Sequence, residues 1–480
     1  MANQGLVRET ACAVVGKLKQ GEITPLDLLD VLEKRIAEVD RHVNALPTLC
    51  FDRARDHAKA LMQKPVAERG LLAGLPVPIK DLTDVGGVLT TQGSPIYKDR
   101  IPARSDVLVE RIEENGGLIY AKSNTPEFGA GANTFNEVFG ATVNPWDTSR
   151  SAAGSSGGAA VALATGMAWL AHGSDMGGSL RNPAAFNNVI GLRPSRGRVP
   201  GSPDEELFLQ QLGCEGPMAR TVEDAARLLA VQAGFDPRVP LSLEGALPSP
   251  DALTLEGEVK GLRIGWLGSI WDDLPLAPGV RELCERGLQT FRDLGCVVEP
   301  CRLDVPREQN WTAWLRLRQM LVGGKLGAAY ADPALRERLK PEARWEVEQS
   351  LRLDAAAIYQ ASVYRSNVYR AFLRAFESFD FVVAPTAQVF PFDARLAWPD
   401  KVGDVASDTY HRWMEIVTPF TLAGVPALNV RAGFGEGGLP MGIQIAGPIH
   451  SDMAVLRLGH AYDRACGWSA IRPPVVAEEA

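Results

Sequence analysis

The sequence predicts an α/β fold in one domain, 1–480, on three observations. Residues 105–127, SDVLVERIEENGGLIYAKSNTPE, run helix, Gly-Gly stop, strand and loop, which is one crossover unit of a sheet. Short β-rich runs recur along the chain, among them LRIGWLG (262–268), CVVEPCRL (296–303) and FVVAPTA (381–387). No repeat, low-complexity tract or linker divides the 480 residues.

Taken in order, residues 6–40 read as two helices, the second announced by Thr24-Pro25. A capping residue and a first-turn proline there precede Leu28, Leu29, Leu32, Ile36 and Val39 at helical spacing. ALPTLCF (45–51) is expected as a short strand and DRARDHAKALMQK (52–64) as a polar-faced helix. GLPVPIKDLTDVGG (74–87) is β-rich and punctuated by Pro and Gly, and the crossover unit follows. Residues 129–160, rich in Gly, Ala, Ser and Asn, carry little regular signal. AAVALATGMAWLAHG (159–173) reads as a helix of small residues suited to close packing on a sheet. Residues 305–378 are helical and charged, with Trp311, Trp314 and Trp345, while VPALNVRAGF and LPMGIQIAG form a closing pair of strands.

Hydrophobic residues make up 46% and charged residues 22%, so a sizeable core is expected. A net charge of −8 argues against a nucleic-acid or anionic-membrane surface. The N-terminal stretch lacks the apolar segment of a secretory leader, and no run is long enough to span a membrane, so a cytoplasmic protein is expected. Seven cysteines with no CxxC pair read as reduced thiols, and six scattered histidines give no metal spacing.

Three stretches carry candidate chemistry: PVPIKD with Lys80, SAAGSSGGAA with Ser155 and Ser156, and GSDMGGSLRNPAA with Ser179. Each alone has an ordinary explanation: a solvated lysine, a flexible loop, a turn. GSSGG without a following Gly-Lys-Ser/Thr is no phosphate loop. Together they supply a candidate serine nucleophile with no histidine within reach on its C-terminal side, and lysine is a recognised substitute base. The apolar context LPVPIK would bury Lys80 and lower its pKa, as a base requires. Ser155 is then placed to relay a proton between Lys80 and Ser179. Met176, Gly177, Gly178 and Ser179 would turn backbone N–H groups toward an oxyanion, and glycine tolerates the angles that this needs.

With these motifs the chain resembles the amidase signature family of serine hydrolases. The likeness covers most of the chain and is densest over about residues 70–220, with Ser155 preceding Ser179 by 24 residues. NPW (144–146), GLRPSRGRVP (191–200), GPMARTVEDAA and TLAGVPALNV…GLPMGIQIAG match further blocks. The resemblance implies a single α/β/α sandwich around a large mixed β-sheet, with no metal or organic cofactor. It divides the chain into an N-terminal helical part (1–65), a signature core (66–220) and a variable helical segment (305–400) shaping the substrate entrance. It implies Ser179 as nucleophile, Ser155 after a cis peptide as bridge, Lys80 as general base and acid, and residues 176–179 as the oxyanion loop. Ser156, Asp175 and Arg181 match supporting positions. Two departures stand out: Ala153 replaces a glycine ahead of the serine pair, where it should matter little, and the pocket stretch reads EFGAG at 127–131. Gly129, Ala130 and Gly131 there predict an open acyl pocket or, equally, a loop shaped by its glycines.

Two readings follow. The first is an amide hydrolase acting on a small-molecule acylamide or anilide, aliphatic amide, oligoamide or carbamate, as a monomer or homodimer without nucleic-acid or membrane partners. The second is the glutamine-using component of a tRNA amidotransferase, its A chain, which resembles this protein but carries an Asp where Met414 falls, beside Glu415. Trp413, Met414 and Phe420 make this wall more apolar than a glutamine site would want, which favours the first reading.

Overall fold

The computed structural model describes residues 4–201, 206–245, 247–248 and 254–476. The chain opens with α1 (Ala11–Gln20), α2 (Pro25–Val43), β1 (Thr48–Leu49) and α3 (Phe51–Met62). β2 (Pro76–Lys80), α4 (Val107–Glu114) and β3 (Leu118–Ser123) form the expected crossover, with β2 and β3 parallel. Next come α5 (Gly157–Ala164), β4 (Leu170–Asp175), α6 (Arg181–Phe186), β5 (Ile190–Arg193), β6 (Cys214–Ala219) and α7 (Val222–Gln232). They lead to β7 (Arg263–Trp266), α8 (Val280–Asp293) and β8 (Val297–Pro300). The helical stretch holds α9 (Arg307–Ala331), α10 (Pro333–Arg336), α11 (Pro341–Ser350) and α12 (Ala355–Phe376). β9 (Phe381–Pro385), α13 (Thr418–Ala423), β10 (Ala427–Phe434), β11 (Pro440–Ala446) and α14 (Asp452–Cys466) complete the chain.

Local chemistry explains the starts and stops. Thr24 and Asp27 close a reciprocal capping box across Pro25 at the first helical position, and α2 ends at Asn44 in the left-handed region. The long helix expected over 159–173 is instead two elements. α5 stops where the Thr165 hydroxyl turns back onto the Val161 carbonyl and Gly166 takes a φ of +77°. The chain then extends as β4, because an Ala-rich apolar run satisfies a buried strand as well as a helix. ALPTLCF contributes only the two residues of β1, and the stretch 129–160 contains two short hairpins within 135–151.

An eight-stranded mixed sheet runs in the order β8-β7-β9-β11-β10-β5-β6-β4, parallel at β8/β7/β9 and antiparallel from β9 onward. The three-stranded sheet β1-β3-β2 adjoins its end, with β2 alongside β4. On β11, a Cβ on Gly287 of α8 would meet Ile443, while the next residue, Gln444, accepts from Arg181 of α6 at 2.8 Å. Adjacent strand residues point to opposite faces, so α8 and α6 cover opposite sides of the sheet. This is the α/β sandwich that the sequence predicted. No helix among the described residues is long and apolar enough to cross a membrane.

Candidate active site

β2 is buried at every position and carries Lys80 into the interior at its end. The Lys80 amine lies 2.6 Å from Ser155 Oγ, 2.9 Å from Ser156 Oγ and 3.0 Å from Ser174 Oγ. Burial drives its pKa down to about 7, against the opposing pull of the Glu215 and Asp175 carboxylates. Asp81 turns away, accepts from the Thr91 hydroxyl and pairs with Lys122 at 3.3 Å.

The glycine-rich loop ahead of α5 delivers the two serines. The Gly154–Ser155 peptide is cis. A Cβ on Gly157 would sit 2.3 Å from Thr134 Oγ1, and one on Gly158 would sit 2.4 Å from the Asn124 backbone nitrogen, so both positions exclude a side chain. Ala153, expected to matter little, holds a φ of +55°, the left-handed region that glycine occupies freely.

Ser179 is 8% exposed, between β4 and α6. Its carbonyl accepts the Ser156 N–H at 3.3 Å, which ties the two motif loops together. Among the described residues the Ser179 hydroxyl makes no hydrogen bond, and the lysine amine reaches Ser155, Ser156 and Ser174 but not Ser179. Asp175 organises the loop that follows. It accepts from the N–H of Gly178 at 2.9 Å and of Leu180 at 3.2 Å, and pairs with Arg181 at 3.0 Å and Arg193 at 3.2 Å. Burial pushes this carboxyl up, but the two guanidiniums outweigh it and hold it below the usual carboxylate range. Asp175 thereby engages the Gly178 N–H, while those of Met176, Gly177 and Ser179 have no partner among the described residues.

A cleft of about 270 Å3 exposes Ser155, Ser179 and Met176. Of the three pocket residues read from EFGAG, only Gly129 lines it. Ala130 is buried, its carbonyl accepting from Lys340 at 2.5 Å, and Gly131 abuts the same amine. Trp413 and Phe420, read as substrate wall, are core residues packed on Phe392 and Phe372. Met414 lies behind Gly177 of the loop. Glu415 is held by Arg307 at 2.7 Å and Arg412 at 3.0 Å. Sequence reasoning missed Gln92, Phe128, Glu215 and Arg318, which line the cleft. Only the tryptophan-bearing helical segment signalled α9, from which Arg318 comes; the lone acid before GPMAR signals Glu215 only in hindsight.

α9 also braces the loop. Trp314 Nε1 donates to the Met176 carbonyl at 3.3 Å, and Arg318 approaches the Met176 sulfur at 3.2 Å. Arg318 is anchored by Glu346 at 2.6 Å. No cluster among the described residues offers three acidic, histidine or cysteine groups to a metal.

A family model described as Amidase matches residues 27–456. The glutamyl-tRNA(Gln) amidotransferase A chain of Synechococcus sp. (strain CC9605) is 32% identical over 483 residues, 95% of this chain and 96% of that protein. A solved bacterial aryl acylamidase of the amidase signature enzymes superposes with a TM-score of 0.90 at 29% identity, covering 97% of this chain and 99% of the other. The solved glutamyl-tRNA(Gln) amidotransferase A chain of Thermotoga maritima gives a TM-score of 0.75 at 26% identity, with 93% of each chain covered.

Proposed function

The chain belongs to the amidase signature family and is an amidase acting on C–N amide bonds, and from that premise we propose that it is an acylamide hydrolase working through a Ser179 acyl-enzyme. Ser179 Oγ attacks the amide carbonyl while its proton passes through Ser155 to Lys80 Nζ. The N–H groups of Met176, Gly177 and Ser179 receive the oxyanion, since Gly178 is engaged by Asp175. The C–N bond then breaks as Lys80 returns the proton, through Ser155, to the leaving nitrogen. Water repeats the sequence on the acyl-enzyme.

The observation that carries this reading is the buried Lys80 amine 2.6 Å from Ser155 Oγ with a pKa near neutrality. The link from Ser155 to Ser179 is left to form with substrate, as catalytic hydrogen bonds commonly tighten only in the Michaelis complex. Ser179→Ala should abolish labelling by a fluorophosphonate and lower amide hydrolysis by at least about a thousandfold, with the melting temperature little changed. Retained hydrolysis would place the nucleophile elsewhere.

The second reading, glutamine as substrate, is favoured by the 32% identity to an amidotransferase A chain. Against it, Met414 is apolar and Glu415 is already engaged by two arginines, which leaves no acid there for an α-amino group. A hydrolysis panel of anilides, aliphatic amides and glutamine separates the readings. The expected order is anilide far ahead of glutamine, and preferred glutamine turnover would reverse the assignment.

A further inference from the structure

Beside Lys80 lies a pair of titratable side chains that this mechanism does not use. His172 on β4 is fully buried. Its Nδ1 accepts the backbone N–H of Lys80 at 3.4 Å, and its Nε2 lies 2.7 Å from Glu215 Oε2 on β6. An imidazole that accepts at Nδ1 carries its hydrogen on Nε2 and donates it to Glu215. Glu215 stands opposite Ser174 in the antiparallel β4/β6 pair, and Ser174 Oγ is itself 3.0 Å from the Lys80 amine. The Glu215 carboxylate also faces the cleft.

We propose that His172 and Glu215 are a positioning pair for Lys80. The imidazole fixes the strand end that carries the lysine, and the carboxylate is the counter-charge for the ammonium formed when Lys80 takes the Ser179 proton. This rests on the reading of Lys80 as the base. Neither member of the pair exchanges a proton in the cycle: the proton leaves Ser179, resides on Lys80 and departs on the leaving nitrogen.

The charges around the lysine single out Glu215. From β4, Lys80 faces His172 and Asp175; from β6, it faces Glu215, whose neighbour Cys214 rests its thiol against the Asp175 carbonyl. Asp175 also pulls the pKa of Lys80 up, the smaller of the two carboxylates' effects, and is itself paired with Arg181 of α6 and Arg193 of β5. Burial pushes the Cys214 thiol up to about 12, so it stays uncharged. The Glu215 carboxylate has only His172 as a hydrogen-bond partner among the described residues. Burial alone would leave a lysine too weak to deprotonate serine. A carboxylate without its own cation draws its pKa back toward neutrality, where deprotonated fraction and basicity are best balanced.

The test is the pH dependence of fluorophosphonate labelling of Ser179, which needs no knowledge of the substrate. Glu215→Gln keeps an oxygen for the His172 Nε2–H but removes the charge. The acid limb should move to lower pH by about one unit, and the plateau rate should fall several-fold because a weaker base remains. A limb that stays in place, with or without a lower plateau, overturns the proposal, as does a limb moved upward. The double variant His172→Leu/Glu215→Leu replaces the pair by apolar side chains and gives a second measurement, with the same downward shift expected and the same overturning outcome. Failure of the underlying reading looks different: labelling would survive in Ser179→Ala, or proceed normally in Lys80→Arg.

Discussion

Lys80 places an amine among three serine hydroxyls in the interior, and burial brings its pKa to about 7. If Lys80 is the base as proposed, activity should rise with pH through about 7 and level off one to two units higher, because the neutral amine would be the working form. Lys80→Arg preserves the charge but cannot release a proton, so amide hydrolysis should fall by on the order of a thousandfold with no recovery at alkaline pH. The same depressed pKa has a cost in stability. Between about 7 and the ordinary lysine value of 10.5 the unfolded chain binds more protons than the folded one. Stability contributed at this site thus rises with pH across that window, by up to about 1.4 kcal/mol per unit, and below it the penalty is constant. Chemical denaturation of the wild type against Lys80→Met should show a gap that changes in favour of the wild type as pH climbs from 7 to 10. A gap independent of pH would mean that Lys80 titrates normally.

The loop 176–179, the proposed oxyanion site, is shaped by two elements that the sequence separates widely, β4 and α9. Gly177 is the point of contact: a Cβ there would lie 2.9 Å from the Trp314 ring, which the Trp311 ring stacks upon. Gly177→Ala must displace the loop or the indole, and a displaced loop loses aligned N–H donors. The expected result is a fall in kcat and in labelling rate of about ten- to a hundredfold, with a melting temperature within a few degrees of the wild type. Equal activity would show that the loop tolerates the shift. This region also marks what the sequence made legible. Lys80, Ser155, Ser156 and Ser179 stand out because their neighbours form short motifs of fixed spacing; the Lys80 amine bonds Ser155 and Ser156, and Ser179 lines the same cleft as Ser155. Arg318 and Glu215 do not stand out, because their proximity to the cleft comes from strand order and from a helix whose polar face looks ordinary in sequence. The start of β4 reads as helix in the sequence because Leu170 to His172 are all buried, which erases the period-two alternation. Ala130 and Gly131 stand outside the lining of this cleft because a distant amine, Lys340, caps that turn.

Asp175 connects the parts of the molecule that the active site needs in register. Through Arg193 it reaches β5, and through Arg181 it reaches the Val417 carbonyl, Thr421 of α13 and Gln444 of β11, so one carboxylate links signature strands to the C-terminal strands more than two hundred residues away. All of these charges are buried, and removing one partner leaves the others without compensation. Asp175→Asn keeps the shape but leaves Arg181 and Arg193 facing a neutral amide, which should destabilise the fold by about 3–5 kcal/mol at neutral pH. The pH dependence has a fixed sign. The folded carboxyl is held below its unfolded value, so its contribution is fully present above about pH 4 and is lost as pH falls through the folded pKa. Urea denaturation at pH 7 and pH 5 should give the same difference between wild type and Asp175→Asn, and the difference should begin to shrink only below pH 4. Catalysis should fall with stability, because the Gly178 and Leu180 N–H groups accepted by this carboxylate set the backbone of Ser179 between them. A variant that melts like the wild type while losing activity would show that Asp175 shapes only the loop, and that the sheet holds its two halves together without it.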